Sequence, residues 1–179
     1  NIKIGNVTLE KSAALAPMAG VADRVYRLMC REYGAAYTVS EMVSAKGICY
    51  SDKKTAELCT ITEGERPMGI QLFGYEADFM AEAVKIVLEY KPDIIDINMG
   101  CPVPKVAVRA NSGAALMKDI PLAIEIVKEV IESVPVPVTV KIRNGWDMNS
   151  INACEMAQEL EKIGISAICI HARTRSQGY

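Results

Sequence analysis

Short apolar runs alternate along this chain with longer stretches of helical spacing. Ala13 to Leu15 opens a first strand, and Asp23 to Tyr33 has the spacing of a helix that Gly34 stops. Ala36 to Val39 is a second strand, and Lys53 to Leu58 a short helix. Met68 to Phe73, introduced by Pro67, is a third strand. Glu76 to Tyr90 follows as a helix with Phe79, Ala83, Val87 and Tyr90 near one face. Pro92 breaks it before the strand Ile94 to Ile97. The longest predicted helix runs from Gly113 to Ser133 on a stripe of Leu116, Ile120, Ala123, Val127 and Val130. Val136 to Ile142 is the next strand, Ser150 to Ile163 the next helix, and Ala167 to Ile170 a sixth strand.

Strands that alternate with helices and look too apolar to have a wet face predict a parallel sheet covered by helices. Two architectures satisfy this, a doubly wound open sheet and a (β/α)8 TIM barrel. The first strand leads into Ala16-Pro17-Met18-Ala19-Gly20 rather than the Gly-x-Gly-x-x-Gly turn of an open dinucleotide-binding sheet. Polar residues also end every strand instead of one switch point, which favours the barrel. A barrel needs eight strands and about 250 residues. The 179 residues here supply about six. The expectation is therefore a partial TIM barrel that lacks its C-terminal strands.

Composition narrows the class. Half of the residues are hydrophobic and 23% are charged, as in a globular domain. No apolar run approaches about 18 residues and no signal pattern opens the chain, so no membrane association is expected and the cytoplasm is the expected compartment. The six cysteines lack Cys-x-x-Cys spacing, which argues against a metal site and against a disulfide framework. The net charge of −2 excludes a globally basic nucleic-acid binder. Lys46, Lys105, Arg109, Arg143, Arg173 and Arg175 nevertheless follow strand ends, while acids such as Glu82, Glu125, Glu129 and Glu155 lie on helices. That sorting predicts a positive mouth on an acidic body.

The strand ends converge in a barrel. They bring together Pro17, Met18 and Ala19; Ser40, Glu41 and Met42; Gln71; Asn98 and Cys101; Lys141 and Arg143; and His171, Arg173 and Arg175. There is no Ser-His-Asp set and no paired-histidine metal motif. An amide, a strand lysine and a lone histidine suit a flat ligand with hydrogen-bonding edges and a negative locus, such as a reduced flavin. Each residue also has a plainer reading: Gln71 as a strand-end cap, Met18 as core, Cys101 as a small apolar filler.

Taken together, Ala16-Pro17-Met18-Ala19-Gly20-Val21-Ala22-Asp23, Gln71-Leu72-Phe73-Gly74, Asp96-Ile97-Asn98-Met99-Gly100-Cys101-Pro102, Lys141-Ile142-Arg143 and His171-Ala172-Arg173-Thr174-Arg175 resemble the tRNA-dihydrouridine synthases. The resemblance runs in order over essentially the whole chain. It implies an FMN-dependent barrel that uses NADPH or NADH to reduce the 5,6 double bond of a uridine in tRNA. Pro17, Met18, Ala19, Gln71, Lys141 and His171 would hold the flavin, and Cys101 would give a proton to C5 of the uridine. Asn98 would lie between flavin and substrate, and Lys105, Arg109, Arg143, Arg173 and Arg175 would meet the tRNA. The segment from Lys105 to Gly113 varies from the family's pattern. The resemblance further implies that residues 1–179 are the N-terminal part of the FMN-binding domain, without the last barrel strands and a helical tRNA-binding domain. The competing expectations are a dihydroorotate dehydrogenase-like flavin enzyme, or a non-catalytic RNA-binding barrel.

Overall fold

The computed structural model describes all 179 residues. Two three-residue strands, β1 (Ile2–Ile4) and β2 (Val7–Leu9), form an antiparallel hairpin. The main sheet is built from β3 (Ala14–Leu15), β4 (Tyr37–Val39), β6 (Met68–Phe73), β7 (Ile94–Met99), β8 (Val138–Arg143) and β9 (Ala167–His171). These six strands are parallel and lie in sequence order, as the curled half of a (β/α)8 barrel. A short strand β5 (Val43–Ser44) pairs with β6 further along than β4 does. The connections carry α1 (Arg24–Glu32), α2 (Ala45–Cys49), α3 (Lys53–Glu57), α4 (Ala77–Val87), α5 (Pro104–Ala107), α6 (Ile120–Ser133) and α7 (Ala153–Lys162).

Two strands show how the sequence divides the sheet into faces. In β7, Ile95, Ile97 and Met99 join a core cluster of 25 buried residues, whereas Asp96 and Asn98 point to the other face. In β8, Val138, Val140 and Ile142 join that core, and Thr139, Lys141 and Arg143 alternate with them. The strands were expected to be apolar on both faces. Instead the inner face is polar, because period-two alternation places every second residue of β7 and β8 inside the curl.

Helices supply the other half of the core. Met80, Ala83, Val84 and Val87 of α4, and Ala123, Ile126, Val127 and Val130 of α6, are fully buried at helical spacing. Each fully buried aliphatic side chain contributes about 1.5–3 kcal/mol. An exposed ion pair such as Lys46–Glu76 contributes about 0–1 kcal/mol. The outer apolar layer, not surface charge, therefore holds the helices to the sheet.

The helix expected from Gly113 to Ser133 is two elements. Gly113–Lys118 is a 3-10 turn, and α6 begins only after Asp119. Pro121 has no N–H to donate and disfavours helical geometry in the residue before it, so a continuous helix breaks there. Asp119 then caps α6 by accepting from the Leu122 N–H at 3.0 Å. The hairpin, β5, α2 and α5 are too short to show a period, and all four escape the sequence reading. The hairpin has a definite place nonetheless. Leu9 packs with Ala36, Tyr37, Val39 and Ile94, at the end of the sheet opposite the strand C-termini.

β3 and β9 lie at the two edges of the sheet. On β9, Ile170 is 49% exposed beside an unpaired backbone edge. Such an edge is a template for pairing with another chain. Residues 1–179 expressed alone should self-associate, and Ile170→Lys should raise the monomer fraction. Size-exclusion chromatography with light scattering checks this, and a monodisperse parent monomer would count against it.

Candidate functional site

Strand register assembles the site. Gln71 pairs across to Asp96, and Asp96 to Thr139. One layer higher, Asn98 is level with Lys141. At the top of the sheet, Arg143 is level with His171. Because inward residues recur every second position, these layers stack on one face and open into one cleft of about 470 Å³. Pro17, Met18, Ala19, Gln71, Asn98, Cys101, Lys141 and His171 all line it. Met42, expected at the mouth, lines it too, as do Val21, Val103 and Tyr179, to which the sequence assigned no role.

The loop after β3 is anchored twice toward its C-terminal end. The Gly20 N–H donates to Glu41 Oε1 at 2.5 Å, and φ of +75° at residue 20 favours the glycine. The Ala22 carbonyl accepts from Arg27 Nη1 at 2.7 Å, and Arg27 is itself paired with the buried Glu65 at 2.7 Å. Ahead of these anchors Met18 is left 37% exposed, facing the cleft rather than packed in the core. The break between β4 and β5 holds Ser40, whose Oγ accepts from the Gln71 N–H at 3.0 Å.

Below the cleft runs a connected polar chain. Thr139 Oγ1 donates to Asp96 Oδ1 at 2.5 Å, and Gln71 Nε2 donates to Asp96 Oδ2 at 2.7 Å. Asn98 Nδ2 donates to Gln71 Oε1 at 2.8 Å. Asn98 Oδ1 then accepts from the N–H groups of Gly100 and Cys101 at 3.1 and 3.0 Å. Gln71 is thus no simple strand cap. Burial pushes the Asp96 carboxyl up to about 6, against the opposing pull of Thr139, Gln71 and the Lys141 charge. Lys141 is half-buried in the cleft wall and forms no ion pair.

Cys101 sits at the turn that follows β7, half-buried. Burial raises its thiol above the ordinary value, while a Val103 N–H and the Arg143 charge pull the other way. Gly113 packs directly on it. Residue 113 has φ of +58°, and a Cβ there would lie 2.9 Å from the Cys101 carbonyl oxygen. His171 is lowered, first by burial and then by the positive charges of Arg143, Lys141 and Arg173. A thiol and an imidazole are therefore both neutral at neutral pH in one cleft. No three His, Cys, Asp or Glu side chains converge as a metal-ligating group.

The positive mouth needs correction. Arg143 is only 1% exposed. Its guanidinium donates to the carbonyls of Gly100 (2.6 Å), Thr174 (3.1 Å) and Gly178 (2.8 Å) and lies over the Tyr179 ring. It braces the loops after β7 and β9 and is not an open cation for a substrate. The reason is its inner-face position above the side-chain-free Gly100. Lys46 is also engaged, in an ion pair with Glu76. Lys105, Arg109 and Arg173 are exposed, and Arg175 is half-buried against Trp146.

Comparison with known proteins agrees with the sequence resemblance. Residues 14–179 match the family profile described as dihydrouridine synthase. A protein of Pseudomonas putida named tRNA-dihydrouridine synthase B is 44% identical over 99% of this chain and 52% of its own length. Its namesake in Pseudomonas aeruginosa is 43% identical over 99% of this chain and 53% of its own length. A probable tRNA-dihydrouridine synthase of Rickettsia bellii is 40% identical, with 99% and 55% covered. The chain thus spans about half the length of the curated relatives it matches. It belongs to the dihydrouridine synthase family.

The raised thiol makes a pH prediction. A group held above its ordinary value keeps its proton to higher pH, so the reactive thiolate of Cys101 forms late. Its alkylation by iodoacetamide should rise at higher pH than that of an unperturbed thiol, for which about 8.5 is typical. Peptide-resolved mass spectrometry across pH 7 to 10 measures it, and a midpoint at or below the ordinary value would contradict the burial argument.

Proposed function

We propose, with membership of the dihydrouridine synthase family as premise, that the protein carrying this chain reduces the 5,6 double bond of a uridine in tRNA. The carrying observation is that a half-buried thiol and a row of hydrogen-bonding side chains share one cleft. Gln71, Asn98, Cys101, Lys141 and His171 line the same 470 Å³. The donor set fits FMN. Gln71 keeps a second amide N–H beyond the one given to Asp96, and Lys141 offers a cation without an acidic partner in the same wall. Pro17, Met18 and Ala19 provide a loop along which a flat ring can lie. Bound FMN, kept reduced by NADPH or NADH, would supply a hydride to C6 of the uridine.

The remaining steps belong to the protein. Cys101 donates a proton to C5 from the opposite side, a role that requires a thiol still protonated at neutral pH. An ordinary thiol, at about 8.5, already meets that condition, and burial of Cys101 acts in the same direction. Asn98 is tied by its own amide to the Cys101 loop and positions the base next to the donor. Lys141 and the neutral His171 hold the flavin edge. The uridine must leave its stack to enter the cleft. Exposed Lys105, Arg109 and Arg173, with Arg175, then meet tRNA phosphates. Arg143 acts behind them as a loop brace. Residues 1–179 would be the N-terminal part of a catalytic barrel whose later strands and tRNA-binding helical domain follow in the full-length protein, in the cytoplasm. The half-length match to the relatives supports only the greater length of the whole protein.

In the full-length gene product, Cys101→Ala should retain FMN and lose about 10²- to 10⁴-fold in uridine reduction, the usual worth of general acid catalysis. Single-turnover formation of dihydrouridine at the parent rate would defeat the assignment. Lys141→Met should weaken FMN about 10- to 100-fold or shift its reduction potential, as loss of a charge-assisted hydrogen bond does. Flavin fluorescence titration and potentiometry read both, and unchanged values would assign Lys141 to packing.

A further inference from the structure

The polar chain beneath the cleft begins at a residue with no role in the mechanism above. Asp96 is 5% exposed, on the inner face of β7. A carboxylate has acceptors only, so it admits the NH2 end of the Gln71 amide and excludes the oxygen end. Gln71 Oε1 must then face Asn98, and it takes the Asn98 Nδ2–H at 2.8 Å. That leaves Asn98 Oδ1 as the only end that can accept from Gly100 and Cys101 at 3.1 and 3.0 Å. Two amides, each able to flip in isolation, are given one direction by an acceptor anchored in the sheet at one end and two backbone N–H donors at the other. Flipping Gln71 would set oxygen against the carboxylate and nitrogen against nitrogen, in a buried place where such contacts are costly.

The far side of the loop is held independently. Gly113 packs against Cys101, and the Ala114 N–H donates to the Cys101 carbonyl at 3.1 Å. Arg143 Nε holds the Gly100 carbonyl at 2.6 Å. The N–H groups of Gly100 and Cys101 depend on Asn98 alone, so this side of the turn is where a remote change acts.

We propose that Asp96 is the positioning residue for the Cys101 thiol: acting through Gln71 and Asn98, it fixes the Gly100–Cys101 backbone and thereby the direction and desolvation of the sulfur. Only the description of that thiol as proton donor rests on the proposed function. The same chain orients the Gln71 amide, so the flavin edge and the proton donor are set by one anchor.

The test uses the full-length gene product and the iodoacetamide reactivity of Cys101, resolved by peptide mass spectrometry without added tRNA. Asp96→Asn should keep the parent rate and pH profile, because its oxygen still accepts from Gln71 and its NH2 can face the Thr139 hydroxyl. Asp96→Leu should release the loop. Cys101 alkylation should rise about tenfold, the rate equivalent of one lost hydrogen bond, and its pH midpoint should fall toward that of a free thiol. Asn98→Ala should do the same, and the double variant should react no faster than either single one. A parent rate in Asp96→Leu, or effects that multiply in the double variant, would overturn the proposal. Should Asp96→Leu fail to fold, Gln71→Met cuts the same chain one link on and must give the same rise, with an unchanged rate again overturning it. The expected reactivities in a parent protein that forms no dihydrouridine would uphold this inference and sink the proposed function instead.

Discussion

One buried carboxylate constrains the mouth of this barrel. Asp96 lies within the sheet, and a charge there is tolerated only with hydrogen-bond donors on both oxygens. Thr139 supplies one from β8 and Gln71 the other from β6. Three neighbouring strands are thereby tied across their inner face at one level. The direction of those bonds propagates upward through Asn98 to the turn that carries Cys101. The acceptor at one end of this chain and the two backbone N–H donors at the other demand the same direction of both amides.

The second constraint is the division of labour between the sheet faces. Ile95, Ile97 and Met99 attach β7 to the helices, and Val138, Val140 and Ile142 do the same for β8. That layer provides most of the stabilisation, which lets the inner face carry Asp96, Asn98, Thr139 and Lys141 at some cost. The cleft is polar because the outside is not. The same arrangement explains the two neutral groups in it. Cys101 and His171 are moved toward their uncharged forms first by burial, with the nearby cations adding to the effect on His171 and opposing it on Cys101.

Arginine shows how position overrides residue type. Arg143, Arg173 and Arg175 all follow strand ends and look alike in the sequence. Arg143 occupies an inner-face position above a glycine, with backbone carbonyls from two loops within reach, and becomes a brace. Arg173, outside the sheet, stays exposed. Lys46 is drawn to Glu76 and the rings of Tyr75 and Phe79. The basic mouth is smaller than a count of cations implies, because a charge near a carbonyl or carboxylate satisfies itself locally.

By itself, the sequence determined the strand-helix alternation, the six parallel strands and the residues at their C-terminal ends, because period and turn chemistry are local properties. It also placed Pro17, Gln71, Cys101, Lys141 and His171 in one cleft once a barrel was inferred, since parallel strands all point their ends the same way. The alternation Ile-Asp-Ile-Asn in β7 and Val-Thr-Val-Lys in β8 carried the polar inner face as well, although the apolar half of each pattern masked it. Tertiary structure alone decided which inner residues meet. Register set Gln71 beside Asp96 and Asp96 beside Thr139. It likewise set Arg143 against two loops and closed the strands' N-terminal end with a hairpin too short to show a period. Those are contacts between residues tens of positions apart, and a hydrogen bond has a partner and a direction only after the strands are aligned.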